Sequence, residues 1–118
     1  MLPKVNRLKR KKDIERVFKC GKGFKEDFLI LKAVKNNLKN SRFAFIVSQK
    51  VSKKAALRNK IRRRLRELVR RHPPTTRLGM DIVLVATPGL EEKDFWEIEE
   101  TINKLLAKAE IFNHGNNN

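Results

Sequence analysis

The chain has 118 residues and carries 29 Lys and Arg against 13 Asp and Glu, a formal charge of +16 at neutral pH, with 40% hydrophobic residues. That length favours one domain with enough apolar material for a small core. A single cysteine, Cys20, and two scattered histidines exclude a disulfide framework and a structural zinc module; no apolar run approaches the roughly 20 residues of a membrane span and the first residues lack the apolar stretch of a signal peptide, so the expected location is the cytoplasm, without a membrane partner.

The charge is uneven. Residues 1–25 hold ten Lys/Arg against two acids and residues 53–71 ten against one, whereas residues 81–110 hold three lysines against eight acids. Crowding cations on a small domain costs self-repulsion, which a polyanion relieves by neutralising them and releasing counterions. Nucleic acid is the partner this distribution favours over a merely solvated basic face, since solubility needs far less net charge.

In chain order, residues 12–19 predict a short helix, with Ile14, Val17 and Phe18 at i, i+3 and i+4, and Gly21 as its left-handed terminator. From periodicity alone, Phe18 fits either the core or an exposed position. Residues 28–34 and 43–47 are rich in aromatic and branched side chains and flank the polar stretch 36–41, which predicts a hairpin. From Ser52, the expected N-cap, to His72 the sequence forms helix until Pro73 and Pro74 stop it. Leu57, Ile61, Leu65, Leu68 and Val69 make its apolar stripe, and Asn59, Arg62, Arg63, Arg66 and Arg70 its opposite side. Arg58, at the edge of the stripe, must snorkel or find a partner.

The run at residues 81–87 is a strand covered on both faces, ended by Pro88 and Gly89. Residues 91–109 follow as an amphipathic helix with Phe95, Ile98, Ile102, Leu105, Leu106 and Ala109 inward and an acidic outer face. The predicted class is α+β: a sheet with helices segregated to one side and one face left open as a site. Residues 1–112 are expected to form one domain, which its charge marks as nucleic-acid-binding, and residues 113–118 a flexible tail.

Protein-borne catalysis has no support. Neither His72 nor His114 has a nucleophile or carboxylate at dyad spacing. The acids Glu91, Glu92, Asp94, Glu97, Glu99 and Glu100 share one helix face, whereas a magnesium site draws on several elements; Gly21 and Gly23 lack the rest of a phosphate-loop fingerprint. The expectation is no catalytic residue and no metal ligand in this chain. The basic segment differs, because its guanidinium groups offer paired donors suited to phosphate oxygens, and Asn59 adds an amide that can bond a base edge or a 2′-hydroxyl.

Here the chain resembles the protein subunit of bacterial ribonuclease P, whose signature has the form K-A-x-x-R-N-x-x-K/R-R-x-x-R-E: Lys54, Ala55, Arg58, Asn59, Arg62, Arg63, Arg66 and Glu67 match it in order. Arg7, Leu8 and Lys9 leading into Asp13, Ile14, Val17 and Phe18 resemble the family's first helix, and residues 42–48 the strand before its motif. The motif is of RNR type, with a second arginine commonly following the asparagine; Lys60 stands there, keeping the charge without the paired-donor geometry. The resemblance implies a compact domain with a left-handed β-α-β crossover, as in a ribosomal-protein domain, which the general right-handed rule would not suggest.

It also implies that catalytic groups and Mg²⁺ belong to a large RNA, while the protein binds that RNA and the 5′ leader of precursor tRNA, with no obligate protein partner. By the same resemblance, Lys53, Lys54, Arg58, Asn59, Lys60, Arg62, Arg63 and Arg66 lie against the catalytic RNA, and Ile14, Phe18 and Leu31, with Arg7 and Lys11, line a leader cleft. The alternatives left by the residues are a structural RNA-binding protein of ribosomal type and, less well, a helix-turn-helix DNA binder, which would need a helix where residues 43–47 read as strand.

Overall fold

The computed structural model describes residues 3–71 and 79–115, the last five in backbone only. The elements are α1 (Lys11–Cys20), β1 (Lys22–Glu26), β2 (Leu29–Lys35), β3 (Arg42–Val47), α2 (Ala55–Arg70), β4 (Met80–Ala86) and α3 (Phe95–Gly115), with single 3-10 turns at Lys4–Asn6 and Leu90–Glu92. One four-stranded sheet runs in the order β1-β2-β4-β3, antiparallel except for the parallel pair of β3 with β4. That pair is joined through α2, giving a β-α-β crossover inside an α+β domain.

The expected hairpin of β2 with β3 does not form, because β4 inserts between them. Residues 36–41 instead wrap the start of β4. The Asn36 N–H donates to the Gly79 carbonyl (3.0 Å) and the Met80 N–H to the Ser41 hydroxyl (3.1 Å), with Gly79 held at φ +67° under Leu38. Local pattern could not show this, since β4's apolar run competes for the same edges and its burial on both faces decides the order. The true hairpin is β1 with β2, turning at Asp27 (φ 48°). β1, with Phe24 as its one apolar side chain turned to the core, has too little alternation to be read as a strand.

Side chains alternate between two cores. Leu29, Leu31 and Ala33 of β2, Phe43 and Val47 of β3, and Ile82, Leu84 and Ala86 of β4 pack with Ile61, Leu65, Leu68 and Val69 of α2 and Ile98, Ile102, Leu105, Leu106 and Ala109 of α3. On the other face Ala44 and Val83 pack with Val17 of α1 and Leu8, edged by Ile14, Val34, Ile46 and Val85. Helices therefore cover both faces, two against one, and the expectation of a single helical side is corrected: Val17 needs an apolar seat, and the second face of β4 offers it. The short α1 leaves part of that face open.

Helix ends also differ from expectation. Gly21 is extended (φ −81°), not left-handed; glycine is needed there because a Cβ would overlap the Val17 carbonyl oxygen and come within 3.0 Å of the Ala33 oxygen. α2 starts at Ala55, because Ser52 makes an earlier turn in which its hydroxyl accepts the Lys54 N–H (3.1 Å). The segment with His72, Pro73 and Pro74 lies outside the described residues. α3 starts at Phe95, where Asp94 and Glu97 cap each other's N–H groups (2.8 and 3.4 Å), and continues to Gly115, into the segment expected to be tail; residues 116–118 lie outside the described residues. Among the described residues no helix is long and apolar enough to cross a membrane.

A polar knot fixes this arrangement. Asp81, 0% exposed, accepts two hydrogen bonds from the Arg42 guanidinium (2.8 and 2.7 Å) and one from the Asn36 amide (2.9 Å). Arg42 also lies 3.5 Å from Asp13 of α1, and its pKa is raised chiefly by the hydrogen bonds to Asp81. Removing the carboxylate strands a half-buried guanidinium and an amide. Asp81→Ala is expected to lower unfolding stability by about 2 to 3 kcal/mol in urea titration, whereas Glu67→Ala, breaking an exposed pair with Arg70, leaves the midpoint unchanged. Gly21→Ala is expected to cost about 1 to 3 kcal/mol, because the backbone of α1 and β2 must part to admit the methyl group; an unchanged midpoint would show that this approach yields freely.

Candidate nucleic-acid interface

α2 presents cations because its apolar stripe is consumed by the core. Asn59, Arg62, Arg63 and Arg66, with Ala56, line one shallow concavity on its outer side. Asn59, exposed, accepts a hydrogen bond from Arg62 through its carbonyl oxygen, which holds the Arg62 guanidinium along the helix. Lys53 and Lys54 are exposed just before the first turn, and Lys60 is exposed toward the other flank. Arg58 has found its partner: it turns back so that Nη1 donates to the Ser52 carbonyl (2.9 Å), strapping the loop between β3 and α2. Arg70 is engaged by Glu67, whose carboxyl is held below the usual range by that hydrogen bond.

A second groove, about 390 Å³, opens between the N-terminal segment and β3, lined by Arg7, Leu8, Lys9, Ile14, Phe43, Ala44, Phe45, Ile46 and Arg66. β3 is an edge strand. Among the described residues its outer side is paired near its start, where Leu8 N–H donates to the Phe43 carbonyl (2.8 Å), and the chain then departs into α1, leaving the groove. Arg66 belongs to both concavities, its guanidinium 5.9 Å from the Phe45 ring centroid. The arginine ridge and the groove are thus continuous around one edge of the sheet.

Of the residues expected at a leader cleft, Arg7 and Ile14 line this groove. Lys11 is exposed and shares with Ile14 and Phe18 a single strip of α1 at steps of three and four. Phe18 is 40% exposed with the Lys32 ammonium 5.5 Å from its ring centroid, which answers the question periodicity left open: it is a surface ring over the sheet. Leu31 is a correction. It is 0% exposed, pairs across Leu84 and Phe24, and faces α2 and α3, on the side of the sheet away from α1. Strand alternation exchanges it for its neighbour, so Lys32 stands on the α1 face. Arg66 at the junction and the edge of β3 were not recognisable as groove walls from sequence, since neither is adjacent to α1 in the chain.

Most of the acids singled out in the sequence have structural partners, and Glu92 is exposed. Glu97 caps α3, Glu91 accepts the Gly89 N–H (2.8 Å), Glu99 pairs with Arg71 (3.1 Å) and Glu100 with Lys104 (3.5 Å). Glu26 bonds Lys108 (2.5 Å), which holds its carboxyl below the usual range and ties β1 to α3. Among the described residues no three His, Cys, Asp or Glu converge as a metal cage.

Comparison with known proteins agrees along the whole domain. The model of the family described as Ribonuclease P matches residues 2–110. The ribonuclease P protein component of Syntrophomonas wolfei is 37% identical over 112 residues, covering 95% of this chain and 93% of that protein, and its counterpart from a Pseudanabaena strain is 34% identical over 117 residues, covering 98% and 100%. Among solved structures, the RNase P protein from Thermotoga maritima superposes with a TM-score of 0.79 at 33% identity, covering 86% of this chain and 96% of that one; the Staphylococcus aureus RNase P protein does so at 0.80 and 26%, covering 88% and 94%. With motif, fold and relatives in agreement, the chain belongs to the ribonuclease P protein family, the protein component of the tRNA-processing ribonucleoprotein enzyme.

Proposed function

We propose that this subunit works by holding two RNAs at once: the ridge of Asn59, Arg62, Arg63 and Arg66 binds the catalytic RNA, and the groove with the adjoining α1 strip receives the 5′ leader of precursor tRNA. The observation that carries this reading is the place of Arg66, shared by ridge and groove, so that one guanidinium lies between the two binding surfaces. Arg7, Lys9 and Lys11 supply phosphate partners along the groove. Phe18 and Ile14 supply apolar surface, on which an unpaired base stacks with little sequence preference. The protein contributes binding and charge neutralisation and no attacking group.

Mg²⁺, in this reading, would be held by the catalytic RNA and would supply water activation and Lewis-acid stabilisation there. The acids of this chain fit such a role poorly, since among the described residues no three His, Cys, Asp or Glu converge and most of the carboxylates on and around α3 are engaged in caps and ion pairs. What this chain does for the metal is indirect: by offsetting repulsion between leader and catalytic RNA, Arg62, Arg63 and Arg66 let the two approach at moderate salt.

Cleavage of precursor tRNA by the cognate catalytic RNA at low Mg²⁺, with and without this protein, tests the reading; absence of stimulation would defeat it and favour a purely structural RNA-binding role. Arg62→Ala and Arg66→Ala are each expected to weaken RNA association and to reduce the log–log salt slope by up to about 0.9 per lost phosphate contact, measured by filter binding across a salt series. Phe18→Ala is expected to weaken binding of leader-bearing precursor by about 1 kcal/mol or more while leaving mature tRNA unaffected; equal losses on both would assign the ring a structural role.

A further inference from the structure

Trp96 is the chain's only tryptophan, and there is no tyrosine. Its side chain is 70% exposed in the first turn of α3. It is nevertheless braced. Its ring meets Phe95 edge-on (centroids 5.5 Å apart, planes at 88°), Phe95 packs against the main core, and the Arg71 guanidinium lies 5.1 Å over the same Phe95 ring while bonding Glu99. The reciprocal caps of Asp94 and Glu97 fix the turn that carries the indole. A pre-ordered, solvent-facing aromatic loses little entropy when it gains a stacking partner.

Charge indicates what that partner is. Three of the neighbouring acids are matched internally, Glu99 by Arg71, Glu100 by Lys104 and Glu97 by Lys93 (3.9 Å), and Asp94 is occupied as a cap. On α2, Arg64 and Arg71 are seven residues apart and so share one strip, on the flank away from Arg62 and Arg66; both keep solvent-accessible surface, and neither belongs to the ridge. A braced indole with the Arg71 guanidinium at its Phe95 neighbour, and Arg64 two turns back along the same strip of α2, suits a nucleotide strand: a base on the ring, phosphates along the strip. The sheet separates Trp96 from Phe18 and the α1 strip, so the RNA within reach is the one that covers α2.

We propose that Trp96, with Arg64 and Arg71, forms a second contact for the catalytic RNA, stacking one unpaired nucleobase beyond the end of the arginine ridge. This rests on the ridge binding catalytic RNA, and the test separates the two. Because Trp96 is the sole indole, its emission reports this site alone. The full-length protein is titrated with the cognate catalytic RNA and, separately, with a leader oligonucleotide, while anisotropy of labelled RNA follows binding independently. Quenching by the catalytic RNA and none by the leader is the expected result, together with an affinity loss of about fivefold in Trp96→Ala that Trp96→Phe partly restores. Arg62→Ala is expected to need more RNA to reach the same final quench. Saturable binding with unchanged emission would overturn the second contact and leave the ridge standing, whereas no binding at all would remove the reading beneath it. Quenching by the leader alone, or a concentration-dependent blue shift without RNA from a second copy covering the ring, would equally overturn it.

Discussion

The buried carboxylate of Asp81 at the start of β4 imposes the constraint on which this molecule depends. A carboxylate removed from water is costly unless its oxygens are bonded and its charge is matched. Arg42 from β3 and Asn36 from the end of β2 meet that demand together, and Arg42 reaches on to Asp13 of α1. Four elements are thereby aligned by one group. Because strand side chains alternate, a slip of one residue would send Ile82 and Leu84 to the α1 face and Val83 to the α2 and α3 face; the knot at the strand's first turn opposes that slip.

With the register set, the two faces of the sheet acquire different tasks. The broad face buries the stripes of α2 and α3, and the charged side of α2 is then turned outward. The opposite face is covered by one short helix, which leaves an apolar margin bordered by cations. Ridge and margin meet at the edge strand β3, where Arg66 crosses from one to the other. An exposed edge invites unwanted pairing with other chains; here the N-terminal segment blocks one end of it, and the density of positive charge disfavours a second copy of the same chain.

The acidic helix completes the design by partition of charge. Its carboxylates are spent on caps, on the internal pair of Glu100 with Lys104 and on the tie of Glu99 to Arg71 of α2, while its Lys108 bonds Glu26 of β1, so that α3 is fastened to α2 and β1 without drawing on the ridge. The net positive charge therefore remains on α2 and the N-terminal third of the chain. An RNA approaching this surface meets cations on two sides of the sheet edge and comparatively little on the outer face of α3, so the field orients the protein before any contact is made.

How much of this was readable in advance follows from which forces are local. The helices α1, α2 and α3 and the strands β2, β3 and β4 were legible because hydrophobic period and turn chemistry act within a few residues, and the arginine side of α2 followed directly from its stripe. The motif around Arg58, Asn59 and Arg66 was enough to identify the family. The order of the strands, the edge position of β3 and the seat of α1 depend on which long-range pairing buries more apolar surface, a comparison no local window contains. That competition put β4 where a hairpin was expected, turned Leu31 into the core and Lys32 to the α1 face, exposed Phe18, and joined Arg66 to a groove whose other walls lie tens of residues away. Composition and periodicity by themselves determined that this protein would be a small, cationic α+β domain with an arginine-bearing helix; tertiary packing alone decided which cations share a surface, because sharing a surface is a property of the register and of the faces it creates.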